Sequence, residues 1–84
     1  MDQAWLDAAM ARARFDVIEN DPPHYGEIPD CSGVWAVAAD LEACRVELRS
    51  VLEEWAEFKV RYGQTVPMVD GATYYELLVT ELRE

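Results

Sequence analysis

Apolar and polar positions recur with two different periods along this chain, and the switches between them mark its elements. Trp5, Leu6, Ala9, Met10 and Ala13 fall at i, i+1, i+4, i+5 and i+8, one stripe of a helix over about residues 2–13. Asp2 stands where an N-cap or a first-turn acid belongs. So short a helix is marginal alone, so its stripe needs a surface, either its own sheet or a neighbouring subunit. At residues 14–19 the period falls to two. Phe15 and Val17 flank Asp16, and β-branched residues cluster, which predicts a strand.

Asn20-Asp21-Pro22-Pro23 is a turn, because Asn and Asp tolerate unusual backbone angles and Pro cannot continue a ladder. Residues 24–28 return as a second, antiparallel strand that Pro29 and Asp30 end. Gly33 permits the next tight turn. Val34-Trp35-Ala36-Val37-Ala38 is nearly all apolar and is expected to be the most buried strand. Asp40 then caps a helix of about six turns whose core face is Leu41, Cys44, Leu48, Val51, Leu52, Trp55, Phe58 and Tyr62. Glu42, Glu47, Arg49, Glu53, Glu54, Glu57 and Arg61 mark its wet side. Gly63 holds the C-terminal cap position, Lys59 and Arg61 suit the helix dipole, and Pro67 confirms the stop. Residues 72–82 carry Tyr74, Tyr75 and Val79 between Thr73 and Thr80, which favours a further strand, although the Glu-Leu-Leu pattern also allows a helix.

The 84 residues suffice for one domain with one modest core, and oligomerisation is a common remedy for a core of that size. Seventeen acidic residues against seven basic give a net charge of -10. That balance opposes direct binding to nucleic acid, whose phosphates demand a basic patch, and suits a positively charged partner. Two cysteines and one histidine fall short of a structural zinc site, so no metal or other cofactor is expected. There is no signal-peptide pattern, and no apolar run approaches the roughly 20 residues that span a bilayer. A reduced, cytoplasmic protein without membrane association is expected.

Candidate chemistry is thin. His24 follows Pro-Pro and has no nucleophile at suggestive spacing, so it reads as an exposed turn histidine. Cys31 and Cys44 lack a Cys-X-X-Cys or basic context, and Cys44 falls on the apolar helix face. Glu27 and Asp30 flank a turn, where an acid–base pair is less natural than a turn former beside a solvent-facing strand residue. Glycines form no phosphate-binding array. Tyr25, Trp35, Tyr74 and Tyr75 lack the basic surround that base stacking needs, but they are residue types enriched at protein–protein hot spots. The sheet face opposite the long helix is the expected place of function, and no enzymatic activity is expected.

Tyr25-Gly26-Glu27-Ile28-Pro29-Asp30, Gly33-Val34-Trp35-Ala36, Leu41-Glu42-Ala43-Cys44-Arg45-Val46-Glu47-Leu48 and Leu52-Glu53-Glu54-Trp55, in that order, resemble the HicB-like family over about residues 13–71. The family includes the antitoxins of HicA–HicB type II toxin–antitoxin pairs. The resemblance implies an α+β, truncated ribonuclease-H-like fold. Three antiparallel strands plus one further strand would pack on one long helix, in a single domain over residues 1–84 with its core at 14–82. It also implies a partner, a small basic HicA-like toxin that cleaves messenger RNA and whose active site the antitoxin covers. Ser32 stands where the family often has Pro, and Ala38-Ala39-Asp40 where it has a Gly-x-Thr helix start. No C-terminal DNA-binding segment is expected after the last strand, so neither is direct operator binding. The N-terminal helix lies outside the resemblance and is expected to mediate self-association as a dimer or tetramer. Tyr25, Glu27, Asp30 and Trp35 are the expected partner contacts. The alternative is a solitary HicB-like oligomeric scaffold or small-ligand-binding protein with no toxin.

Overall fold

The structure, a computed structural model, describes residues 3–67 and 69. The element order is α1 (Gln3–Ala11), β1 (Arg14–Val17), β2 (His24–Glu27), β3 (Trp35–Ala38) and α2 (Leu41–Arg61). The three strands form one antiparallel sheet in the order β1-β2-β3. The register sets Arg14 against Glu27 and Glu27 against Trp35; two residues along, it sets Asp16 against Tyr25 and Tyr25 against Val37. This is the α+β layout expected. The fourth strand proposed at residues 72–82, and the Asp2 cap, lie outside the described residues.

Local chemistry accounts for each connection. In the first hairpin Ile18 N–H donates to the Pro23 carbonyl at 2.8 Å, and the Asn20 amide donates to the Pro22 carbonyl at 2.9 Å. The second connection is pinned by Cys31 N–H to the Ile28 carbonyl and Val34 N–H to the Cys31 carbonyl, each 3.0 Å. Gly33 there has φ 93°, the left-handed region that only Gly enters cheaply. The Asp40 carboxylate accepts from Ala43 N–H at 2.8 Å, the N-cap expected of it. Gly63, with φ 70°, follows Tyr62 at the end of α2.

α2 covers one face of β2 and β3. Side chains alternate across a strand, so Gly26 and Ala36 face the helix together while Tyr25, Glu27, Trp35 and Val37 face away. β3 is therefore not buried on both faces as its apolar run suggested. Ala36 is 4% exposed, but Trp35 is 54% exposed. The small residues of β3 serve the helix contact, and its large ones stand on the other side.

The core stripe of α2 is also narrower than the periodicity predicted. Cys44, Leu48, Leu52 and Ala56 are fully buried, whereas Leu41, Phe58 and Tyr62 are exposed. Length explains this. A 21-residue helix runs about 31 Å, while a four-residue strand runs about 13 Å, so the helix overhangs its sheet.

The apolar stripe of α1 finds its surface within the chain. Trp5, Leu6 and Ala9 are fully buried in one cluster with Ile28, Cys31, Val34, Leu48, Leu52, Ala56 and Val69. The Trp5 indole donates to the Pro67 carbonyl at 2.7 Å. Arg49 of α2 reaches back to Asp7 at 3.2 Å and to Gln3 at 2.6 Å. Of the two surfaces open to this stripe, its own fold or a neighbouring subunit, Trp5, Leu6 and Ala9 take the first.

Candidate functional site

The face of the sheet turned away from α2 gathers three of the four candidate residues. Tyr25 and Glu27 lie two apart on β2 and so point the same way. Trp35 stands directly opposite Glu27 on β3. The Tyr25 and Trp35 rings stack diagonally across the two strands, with centroids 6.3 Å apart and planes 24° from parallel. The Tyr25 hydroxyl donates to Glu27 Oε1 at 2.8 Å. That bond, with partial burial and the nearby carboxylate charge, pushes the phenol pKa up, so Tyr25 stays protonated.

Two hollows open on this face. One, of about 560 Å³, is lined by Arg14, Phe15, Asp16, Ile18, Tyr25 and Glu27. The other, of about 270 Å³, runs from Tyr25 and Glu27 along the 28–34 loop to Trp35. Tyr25 and Glu27 form the wall common to both. Arg14 and Asp16 were not among the expected site residues. The signal was available: both sit on the alternate positions of β1 that share a face with Tyr25 once the hairpin register is fixed.

Asp30 is elsewhere. It sits in the turn after β2 and pairs with Arg12, just after α1. This pair ties the first helix to the β2–β3 loop. Asp30 does not line either hollow.

His24 is a half-buried first residue of β2, opposite Val17 and Ala38, and not the exposed turn residue expected. Both cysteines are buried free thiols. Burial, aided by the Asp30 charge, pushes the Cys31 thiol up to about 11. Burial alone also raises Cys44, whose Sγ lies 3.6 Å from the Ala36 carbonyl. Both are held as thiols, which makes them poor nucleophiles. Among the described residues no group of three or more His, Cys, Asp or Glu is placed to hold a metal ion, and no described helix is long and apolar enough to cross a membrane.

Among the described residues, fold and surface together define a small α+β domain with a three-stranded antiparallel sheet, one helix-covered face and one face carrying an aromatic pair beside a carboxylate. The chain belongs to the UPF0150-like family, whose profile matches residues 4–67. That match takes in α1, which the resemblance read from the sequence left outside. Among solved structures, the chain is similar to TTHA0281 from Thermus thermophilus. The two are 41% identical with a TM-score of 0.81, over 84% of this chain and 88% of that one. No curated protein matches the sequence.

Proposed function

We propose that this chain is a non-enzymatic, acidic binding module of HicB type. In this reading it neutralises a small basic HicA-like, mRNA-cleaving toxin by covering the toxin's active site. The observation that carries the reading is the stacked Tyr25–Trp35 pair beside Glu27 on the sheet face that α2 leaves uncovered. Tyr and Trp make large, rigid contacts, and a carboxylate among them supplies sign and direction. The net charge of -10 complements a cationic RNA-cleaving partner and speeds encounter with it. The ribonuclease-H-like relationship and the cytoplasmic location belong to the same proposal. Purification from the source cells tests it. A small basic protein should co-elute near one to one, and it should cleave RNA once released. Recovery of this chain alone as a stable oligomer would overturn the reading.

A second reading draws on the far end of α2. Phe58 and Tyr62 are both more than half exposed, with ring centroids 4.6 Å apart. A solitary HicB-like scaffold without a toxin would use such a pair to self-associate as a dimer or tetramer.

A further inference from the structure

The aromatic residues of this chain differ in what covers them. The Arg45 guanidinium lies 5.2 Å from the Phe15 ring centroid, and the Lys59 ammonium lies 5.1 Å from that of Trp55. Both rings thus receive a cation from the chain itself. Among the described residues, the Tyr25–Trp35 pair receives none, although it is the one stacked pair with a carboxylate hydrogen-bonded to it. Glu27 Oε1 accepts the Tyr25 hydroxyl, and Oε2 has no partner among the described residues. Arg14 stands opposite Glu27 on β1 and makes no ion pair with it there.

We propose that this face seats one arginine side chain of a basic partner, its guanidinium lying against the Tyr25–Trp35 pair and its N–H groups meeting the Glu27 carboxylate. This rests on the binding-module reading and specifies its chemistry. An aromatic face attracts a cation through its quadrupole, and arginine adds planar stacking that lysine lacks. The carboxylate accepts a charge-assisted hydrogen bond from the same guanidinium. The Tyr25 hydroxyl fixes Glu27 in advance, so little side-chain freedom remains to be lost on binding. The hollow of about 270 Å³ between Glu27 and Trp35 gives the aliphatic stem a place to lie. Asp16 lines the neighbouring hollow and adds a second acid to the approach.

The test uses the intact chain and three acetylated, amidated tripeptides, Gly-Arg-Gly, Gly-Lys-Gly and Gly-citrulline-Gly, titrated by two-dimensional NMR. The arginine peptide should shift the Trp35 indole and the 25–27 amides; the lysine peptide should bind several-fold more weakly, and the neutral citrulline peptide should leave them unmoved. Glu27→Gln, which preserves shape, should weaken the arginine peptide by about tenfold or more. Tyr25→Leu should weaken it as well, whereas Glu47→Gln on the exposed side of α2 should not. Equal shifts from arginine and citrulline peptides, or unchanged binding to Glu27→Gln, would overturn the proposal. The arms also separate this claim from the toxin reading. Peptide binding without any RNA-cleaving partner would leave the arginine seat standing alone. A toxin bound equally by wild type and Glu27→Gln would leave the toxin reading standing without the seat.

Discussion

Gly26 and Phe15 approach so closely that a Cβ added at Gly26 would lie 2.8 Å from the Phe15 ring, and 3.2 Å from Cys44 Sγ on the other side. The first distance is below any that real Cβ atoms show. A glycine here therefore lets the Phe15 ring and the Cys44 thiol of α2 close over β2.

Gly26→Ala should be destabilising by about 1–3 kcal/mol, the usual cost of forcing a methyl group into a packed core. The Phe15 ring cannot yield freely, because Arg45 lies over it. Urea denaturation checks this as a lower midpoint with an unchanged slope.

Asp40 provides a cleaner test of the second helix. Its carboxylate satisfies Ala43 N–H, and its own contacts lie at the surface. Asp40→Ala should cost about 1 kcal/mol. For a domain of this size that corresponds to a fall in Tm of roughly 4–8 °C. Asp40→Asn should recover most of the loss.

Trp5 fixes α1 to the segment after α2 through the Pro67 carbonyl. Trp5→Phe keeps an aromatic ring in the core but removes the donor, and should cost about 1–3 kcal/mol. Hydrogen exchange should show faster opening of α1 than of β2 in that variant, since the helix is too short to persist undocked.

Cys31 makes stability depend on pH in a definite direction. Its thiol is raised from the ordinary 9.0 to about 11 in the folded chain. Above pH 9 the unfolded chain loses this proton while the folded chain keeps it. Cys31 thus adds no pH dependence to stability below about pH 9, and stability falls as pH climbs from 9 toward 11. Cys31→Ala should flatten that part of the curve, even if it lowers stability throughout. Iodoacetamide should label native Cys31 far more slowly than denatured Cys31 at pH 8, because the folded thiol is both buried and protonated.

Much of this fold is legible along the chain. The five described elements follow from the change of period at Arg14, the Asn-Asp-Pro-Pro turn, Gly33 and the Asp40 and Gly63 caps, all local signals. What escaped is set by dimensions that no local pattern contains. Leu41, Phe58 and Tyr62 continue the apolar stripe of α2, but four-residue strands are too short to reach them. Trp35 sits in an apolar run that resembles a two-sided core strand, and only the placement of α2 over Ala36 turns its ring outward. The partner of α1 was open in the sequence because a stripe does not say what covers it; the hydrogen bond from Trp5 to Pro67 spans 62 residues. At the candidate site, Tyr25, Glu27 and Trp35 were identifiable as residue types suited to contact. Their convergence came from the antiparallel register, which also brings in Arg14 and Asp16. Asp30 stands apart from those three, paired with Arg12 eighteen positions away, a distance that no local pattern spans.

In the proposed reading, the sheet face turned away from α2, and not the acidity of the whole chain, holds a basic partner. Calorimetric titration of the small basic protein that co-purifies with this chain tests it most directly, using wild type, Glu27→Lys on the open face and Glu47→Lys on the exposed side of α2. Both reversals change the net charge by the same amount. Glu27→Lys is expected to weaken binding by about thirtyfold or more, while Glu47→Lys should weaken it by less than about threefold. Equal losses from the two variants, or none from Glu27→Lys, would contradict it.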